Sequence, residues 1–390
     1  MRFAVFTHVE HIKSANQIYA YAPYVREMNL WFSQAEKVEI IAPVNDGERN
    51  PILLKYDKSD LILNQIPGMN LLSTRSAVKL FFQLPIIIIK MLRAMYKADH
   101  IHIRSPGNIA LIACFLQVLF PFKNKTAKYA GNWDPNSVQP WSYKWQKKIL
   151  SNTFLTRKMK VLVYGNWPSQ SKNVYSFFTA TFTEDDKVMA RQNFDYPFEF
   201  IFVGSLVSGK NPLYAIKLIE SLRELGVPAS LKIYGEGVLE KELKDYINKN
   251  NLASIISLEG NIVLNQLKKT YLESHFIILA SQSEGWPKAI AEGMFYGCIP
   301  IATSVSCVPW MLDNGKRGVL VTEDIDQTTH CILNILNDKS KLQRMSKKAQ
   351  NWSEQYTLEK FEHEIKKLLN PMEKLSIKSS FPFEKGGGVG

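Results

Sequence analysis

Cysteine is scarce in this 390-residue chain. Cys114, Cys298, Cys307 and Cys331 are widely spaced and form neither a C-x-x-C pair nor a Cys/His ligand pattern. That excludes a disulfide scaffold and a cysteine-built zinc site, and leaves reduced, mostly packed thiols. Long apolar runs are missing as well. The longest, "LPIIIIKML" (84–92) and "IALIACFLQVLFPF" (109–122), fall short of the roughly 18 to 20 residues that span a bilayer, so no transmembrane helix is expected. The opening "MRFAVFTHVEH" holds one positive charge and too short an apolar stretch for a signal peptide. It predicts a first strand and a cytoplasmic location. No G-x-G-x-x-G follows that strand, so a dinucleotide cofactor is not expected in the first half. Internal repeats of about 20 to 50 residues are absent too.

Negative charge is in deficit, with 36 Asp and Glu against 48 Lys and Arg. Such an excess implies an anionic partner: nucleic acid, a phosphorylated small molecule or an acidic membrane surface. No nucleic-acid module is recognisable, so that partner is set aside.

What is present is an alternation of strand-like and helix-like segments. From residue 198 onward, "FEFIFVG", "SLKIYG", "SIISLEG", "HFIILA", "IPIAT" and "GVLV" read as strands separated by helical periodicity. This predicts an α/β fold with a parallel sheet. Asn211-Pro212 supplies an N-cap and a first-turn proline for one helix, and Pro287 opens another that ends near Gly297. The first half alternates similarly at "RFAVFTH", "VEIIAP", "HIHIR", "AKYAGNW" and "MKVLVYGNW". The reading is therefore a first domain at 1–190, a second at 198–350, a helix at 351–370 and a tail at 371–390 whose glycines predict partial disorder.

Ligands of open parallel sheets lie beyond the carboxyl ends of the strands. After "FIFVG" comes "SLVSGKNP", which brings Lys210 to a helix threshold. After "KIYG" come Gly235 and Gly237, where a backbone could approach a ligand closely. After "FIILASQS" comes "EGWPKAIAE", with Glu284 in a loop and Glu292 inside the following helix. The helix start can hold a phosphate on its free N–H groups, and Lys210 would add a full positive charge. Two carboxylates flanking a phosphate site can each accept hydrogen bonds from vicinal hydroxyls. The spacing suits the two ends of a sugar nucleotide better than the paired carboxylates of a glycoside hydrolase.

These residues resemble a known family. "EGWPKAIAE" is similar to the Glu-x7-Glu signature of retaining glycosyltransferases with the GT-B fold, closest to glycosyltransferase family 4, the glycosyl transferases group 1. "FVGSLVSGKNPLYAIKLIESL" and "LEGNIVLNQLKKTYLESHFIILASQSEGWPKAIAEGMFYGCIPIAT" follow the same pattern in order. The resemblance is strong over roughly 198–335 and weak before 190. It implies two Rossmann-like domains facing a cleft, with the last helix returning to the first domain. It also implies a nucleotide diphosphate sugar as donor and a glycan or lipid-linked hydroxyl as acceptor. Glu284 and Lys210 would be catalytic, with Glu284 on the donor sugar, Glu292 on the ribose and Lys210 on the diphosphate. The donor site would comprise Gly204, Ser205, Gly235, Gly237, Ile262, Gly285, Trp286, Pro287, Lys288 and Ala289 beside them. Family members usually carry arginine where this chain has Ser205, so another cation, such as Lys288 or Arg104, would have to substitute. A catalytically weakened sugar-nucleotide or glycan-binding protein is the alternative.

On the acceptor side the candidates are His8, His11, Arg104, Trp133, Asp134 and Trp167, each in a segment that follows or ends a first-half strand. Buried packing is the competing reading for the tryptophans, and ordinary loop positions for the histidines. No catalytic metal and no cofactor are expected, because "DID" at 324–326 reads as a helix cap. The segment 75–98, apolar and basic, predicts two short helices broken at Pro85 that would lie on an anionic membrane.

Overall fold

A computed structural model describes residues 1–14, 17–45, 47, 53–69, 74–190 and 193–369, with the side chains of 74–81 outside that set. The predicted tail and the side chains of Arg75 and Lys79 lie outside the described residues. The chain divides between Phe178 and Thr179 and again between Lys360 and Phe361. Unit 1 holds Met1–Phe178 and the chain from Phe361; unit 2 is Thr179–Lys360. The first division thus falls N-terminal of the boundary expected at 190–197, because Thr181, Phe182 and Asp186 bond and pack onto unit 2.

Unit 1 is built from β1 (Arg2–Phe6), β2 (His11–Ser14), β3 (Gln17–Tyr21), β4 (Lys37–Asn45), β5 (Leu53–Lys55), β6 (Ile62–Ile66), β7 (His100–Ser105), β8 (Asn124–Tyr129), β9 (Met159–Tyr164) and β10 (Val174–Phe177). Its helices are α1 (Ala22–Phe32), α2 (Thr74–Lys97), α3 (Asn108–Leu116) and α4 (Trp141–Leu150). The parallel part of the sheet runs β6-β4-β1-β7-β8-β9-β10. Strands such as β1 and β7 are buried almost end to end, as helices on both faces require. The short polar β2 extends the end of β4 and continues into the antiparallel β3 and β5, a branch the sequence pattern does not reveal.

The segment expected to break at Pro85 is one helix with Pro85 inside it. A proline removes one backbone bond, and packing compensates: Ile87, Met91, Ala94 and Met95 recur on one face and join the core of unit 1 with Ile101, Ile103 and Ile109.

Unit 2 comprises β11 (Phe198–Val203), β12 (Ala229–Tyr234), β13 (Ile256–Gly260), β14 (Phe276–Leu279), β15 (Ile299–Thr303) and β16 (Val319–Val321). The helices are α5 (Pro212–Glu224), α6 (Glu240–Lys249), α7 (Leu264–Glu273), α8 (Lys288–Phe295), α9 (Val308–Met311), α10 (Ile325–Leu336) and α11 (Lys339–Ser353). A last helix, α12 (Leu358–Leu369), starts in unit 2 and belongs to unit 1 from Phe361 onward. The unit 2 sheet is wholly parallel in the order β13-β12-β11-β14-β15-β16. Numbered within the unit this is 3-2-1-4-5-6, the doubly wound Rossmann order, whose direction of winding reverses between β11 and β14.

Two glycines after β12 serve the loops of this sheet. A Cβ on Gly235, whose φ is +133°, would overlap the Gly204 carbonyl oxygen, and one on Gly237 would overlap that of Leu206. Backbone bonds Gly204 N–H to Tyr234 O (3.0 Å) and Leu206 N–H to Glu236 O (2.9 Å) hold the two loops together. The missing side chains thus admit a neighbouring backbone, where the sequence alone suggested a ligand. Gly237→Ala is expected to destabilise the protein by about 1–3 kcal/mol, the range for overpacking a fixed interior. An unchanged urea midpoint for this variant would contradict the packing account.

Candidate functional site

The loops that follow β11 and β14 meet at the reversal point of the unit 2 sheet. After β11 the chain makes one short turn at Ser208–Lys210, then Asn211 adopts a left-handed conformation (φ 50°) and α5 begins at Pro212. Asn211 makes no side-chain cap bond, so the expected cap is conformational only; asparagine tolerates this region better than most residues. The Gln282 N–H donates to the Gly209 carbonyl at 3.0 Å, and the Thr303 hydroxyl donates to the Ser281 carbonyl at 2.5 Å. The β14 loop is therefore tied on both sides. Across this junction Lys210 Nζ lies 2.5 Å from Glu284 Oε1. Glu284 is buried while Lys210 remains partly exposed, so the pair offers the solvent its cationic end.

Pro287 occupies the cap position of α8 rather than its first turn, and Lys288, Ala289 and Ile290 are the first helical residues. Their N–H groups have no acceptor within the helix by geometry. Beneath them the Cys307 thiol donates to the Gly285 carbonyl at 3.1 Å. Burial, and then the nearby Glu284 charge, push that thiol up to about 12, so it stays protonated. Glu292 is the fifth residue of α8, about 6 Å further along its axis than Lys288. It accepts from the Thr181 hydroxyl at 2.7 Å and the Tyr271 phenol at 3.0 Å. Burial and the Glu292 charge hold Tyr271 well above the usual phenol range, which keeps it a donor. Lys288, Ala291, Glu292 and Phe295 present one face of α8 to a small pocket completed by Thr181, Trp286 and Tyr356.

The other donor-side candidates divide. Ser205 is exposed in the loop after β11, Gly204 hydrogen-bonds β12 and Ile262 is half-buried after β13. Trp286 is buried in an aromatic cluster, 6.0 Å from Trp352 and 5.4 Å from Tyr356, with Trp310 at 6.4 Å. Its ring anchors the start of α8. Trp310, Trp352 and Tyr356 escape sequence reasoning because only the fold brings them to Trp286. Thr181 and Tyr271 escape it for the same reason. Asp324 caps α10 through the Gln327 N–H at 3.0 Å.

In unit 1, His11 is fully buried. Its Nδ1 donates to the Val9 carbonyl and its Nε2 accepts from the Tyr56 hydroxyl, both at 2.8 Å. Burial lowers its pKa to about 4. The expected role for His11 is corrected accordingly: a neutral core histidine with both nitrogens satisfied has none left for a ligand. His8 is exposed, and its ring lies against Gly107. The desolvation there, and then Arg104, lower its pKa. Arg104 forks onto Glu27, which Lys128 also approaches at 3.1 Å, so this arginine is committed within unit 1. Trp133 is buried on Tyr129 with ring centroids 4.9 Å apart, and Trp167 donates its indole N–H to the Tyr164 carbonyl at 2.8 Å. Asp134, partly buried, accepts from the Asn136 N–H at 2.8 Å and so shapes its own turn.

Residues 184–352, which lie wholly within unit 2, match the family described as glycosyl transferases group 1. The likeness to that family is confined to this part of the chain. A putative colanic acid biosynthesis glycosyltransferase, WcaL of Salmonella typhimurium, is 29% identical over 134 residues, which are 33% of this chain and 33% of that protein. The chain covers less than half the length of the curated relatives it matches first. Among solved structures, sucrose-phosphate synthase from Thermosynechococcus elongatus aligns with a TM-score of 0.68 at 16% identity, covering 96% of this chain and all of that one (100%). HepE from Anabaena, solved with UDP and glucose, aligns at 0.67 and 11% identity over 95% of this chain and 99% of that one. These likenesses show the fold: the chain is a GT-B protein with two Rossmann-like domains.

Proposed function

We propose that the group 1 domain binds a nucleotide diphosphate sugar and that the protein is a metal-independent, retaining glycosyltransferase. The transferred group would be a hexosyl or related sugar, and the acceptor a hydroxyl of a glycan or lipid-linked molecule. The setting would be cell-surface polysaccharide or lipopolysaccharide synthesis on the cytoplasmic side of a membrane. One observation carries this reading: Lys210 and Glu284 are paired at the reversal point of the sheet, just before the free N–H groups of α8. A diphosphate is stabilised by a helix start and an ammonium group together. With retention by front-face attack, the departing diphosphate itself helps to deprotonate the acceptor, so the burial of His11 removes nothing the reaction requires.

The HepE complex and the name of WcaL support a sugar nucleotide and a polysaccharide setting. The exposed Ser205, where family members usually carry arginine, favours the weaker reading of a binding protein without turnover. A thermal-shift and turnover screen over UDP- and GDP-sugars separates the two. At least one donor is expected both to raise Tm and to be consumed when acceptor glycans or glycolipids are supplied. Stabilisation by a donor that no acceptor consumes would favour the binding protein.

A further inference from the structure

Two side chains of the β15 loop anchor the loop that carries Glu284. β14 and β15 are parallel neighbours, with Leu279 opposite Ala302, so the chain leaves the two strands side by side. Just past their ends the Thr303 hydroxyl donates to the Ser281 carbonyl at 2.5 Å. Four residues further on, the Cys307 thiol donates to the Gly285 carbonyl at 3.1 Å. One donor therefore grips each end of the stretch 281–285, and Glu284 lies between them. Gln282 and Ser283 are exposed, so the middle of the stretch gains no core packing and depends on these ties.

The β15 loop is itself fixed. The Val305 N–H donates to the Thr303 carbonyl at 2.8 Å and the Val308 N–H to the Val305 carbonyl at 3.0 Å. Ser306, inside this turn, has a left-handed backbone (φ 50°), an uncommon state for serine that persists only where the surroundings enforce it. Cys307 is buried with Met311 Sδ 3.7 Å from its sulfur. Because burial keeps the thiol protonated, it remains a donor across the working pH range.

We propose that Thr303 and Cys307 are positioning residues for Glu284, which hold the backbone on both sides of it so that its carboxylate is set against the donor sugar in advance. The proposal rests on the reading of Glu284 as the sugar contact. Lys210 fixes the charged end of Glu284, and the two donors fix its main chain. Displacing a reacting group by about 1 Å can cost about a hundredfold in rate, so a loop tied at both ends matters to turnover more than to affinity. Neither donor has to touch the substrate; each acts through Glu284.

The test measures kcat with the donor consumed in the UDP- and GDP-sugar screen, beside calorimetry with UDP and GDP. Thr303→Val, which keeps the shape and deletes the hydroxyl, and Cys307→Ala should each lower kcat about tenfold and leave nucleotide affinity within about twofold. Thr303→Ser, which keeps the donor, should recover most of the loss. In a Glu284→Gln background neither substitution should lower kcat further, because the group they position is gone. Ser346→Ala removes another buried bond, to the Gly297 carbonyl at 2.6 Å beyond the far end of α8, and so controls for lost stability. It should leave kcat within about twofold. In the free protein, hydrogen exchange of 282–286 should quicken about fivefold in Thr303→Val and Cys307→Ala and not in Ser346→Ala. Should Cys307→Ala fail to fold, the Thr303 pair carries the test alone. Unchanged kcat in Thr303→Val, no recovery in Thr303→Ser, or a loss that adds to that of Glu284→Gln would overturn the positioning role while leaving the transferase reading intact. If the wild-type protein consumes no donor, it is the transferase reading that fails, and unchanged exchange of 282–286 would then overturn the clamp as well.

Discussion

Lys210→Ala is expected to weaken nucleoside diphosphate binding by about a hundredfold or more, and to lower kcat/KM for the donor at least as far. The size follows from what Lys210 touches. Its ammonium stands 2.5 Å from a buried carboxylate and keeps one side open to solvent, where an anion can share it. Charge-assisted bonds of this kind contribute about 1.5–3 kcal/mol each. Removing one member of a largely buried pair also strands the other, at about 3–5 kcal/mol. Part of that cost should appear as lower folding stability, because Glu284 is 8% exposed and loses its bonded cation. Lys210→Arg retains the charge but presents a bulkier planar fork in place of a compact ammonium, so partial recovery of affinity is expected. Calorimetry with UDP and GDP, beside urea unfolding of each variant, measures both parts. Wild-type nucleotide affinity in Lys210→Ala would remove Lys210 from the diphosphate site.

The architecture was legible because doubly wound sheets punctuate a sequence. Each buried strand of unit 2 is a short apolar run, and Pro212 and Pro287 stand at the helix starts. The site was legible for the same local reason: Lys210 and Glu284 each lie in the loop that follows a strand, and a strand's carboxyl end is where a Rossmann sheet presents side chains. What could not be read depends on partners distant in sequence. Nothing near Trp286 announces Trp352 and Tyr356, which bury its ring. Nothing near Gly235 announces the carbonyl of Gly204 against it. His11 appeared to be a loop residue until β2 extended the end of β4 and Tyr56 closed over the ring. Arg104, at the carboxyl end of β7, looked available until α1 supplied Glu27. In each case the residue type was compatible with a ligand, and tertiary packing claimed it first.

Glu284 and Glu292 should separate the two halves of the donor. Glu292 lies inside α8, held by Thr181 and Tyr271, an arrangement that fixes a carboxylate for a pair of ribose hydroxyls. Glu292→Gln is therefore expected to weaken free UDP or GDP and the complete donor alike, by about tenfold each, as loss of a charged acceptor implies. Glu284 sits before the helix, where the family resemblance puts the sugar. Glu284→Gln should leave free nucleotide affinity nearly intact, since a contact with an absent sugar cannot contribute to it. Turnover should fall instead, by about a hundredfold, if the carboxylate gains most as positive charge develops at the anomeric carbon. The loss would then appear in kcat more than in KM. One complication is built into the site: Glu284→Gln also frees Lys210 from its carboxylate, which can raise affinity for a bare diphosphate. Tighter or unchanged UDP binding with depressed kcat therefore fits the assignment. Equal loss of free nucleotide affinity in both variants would show that the sugar lies elsewhere.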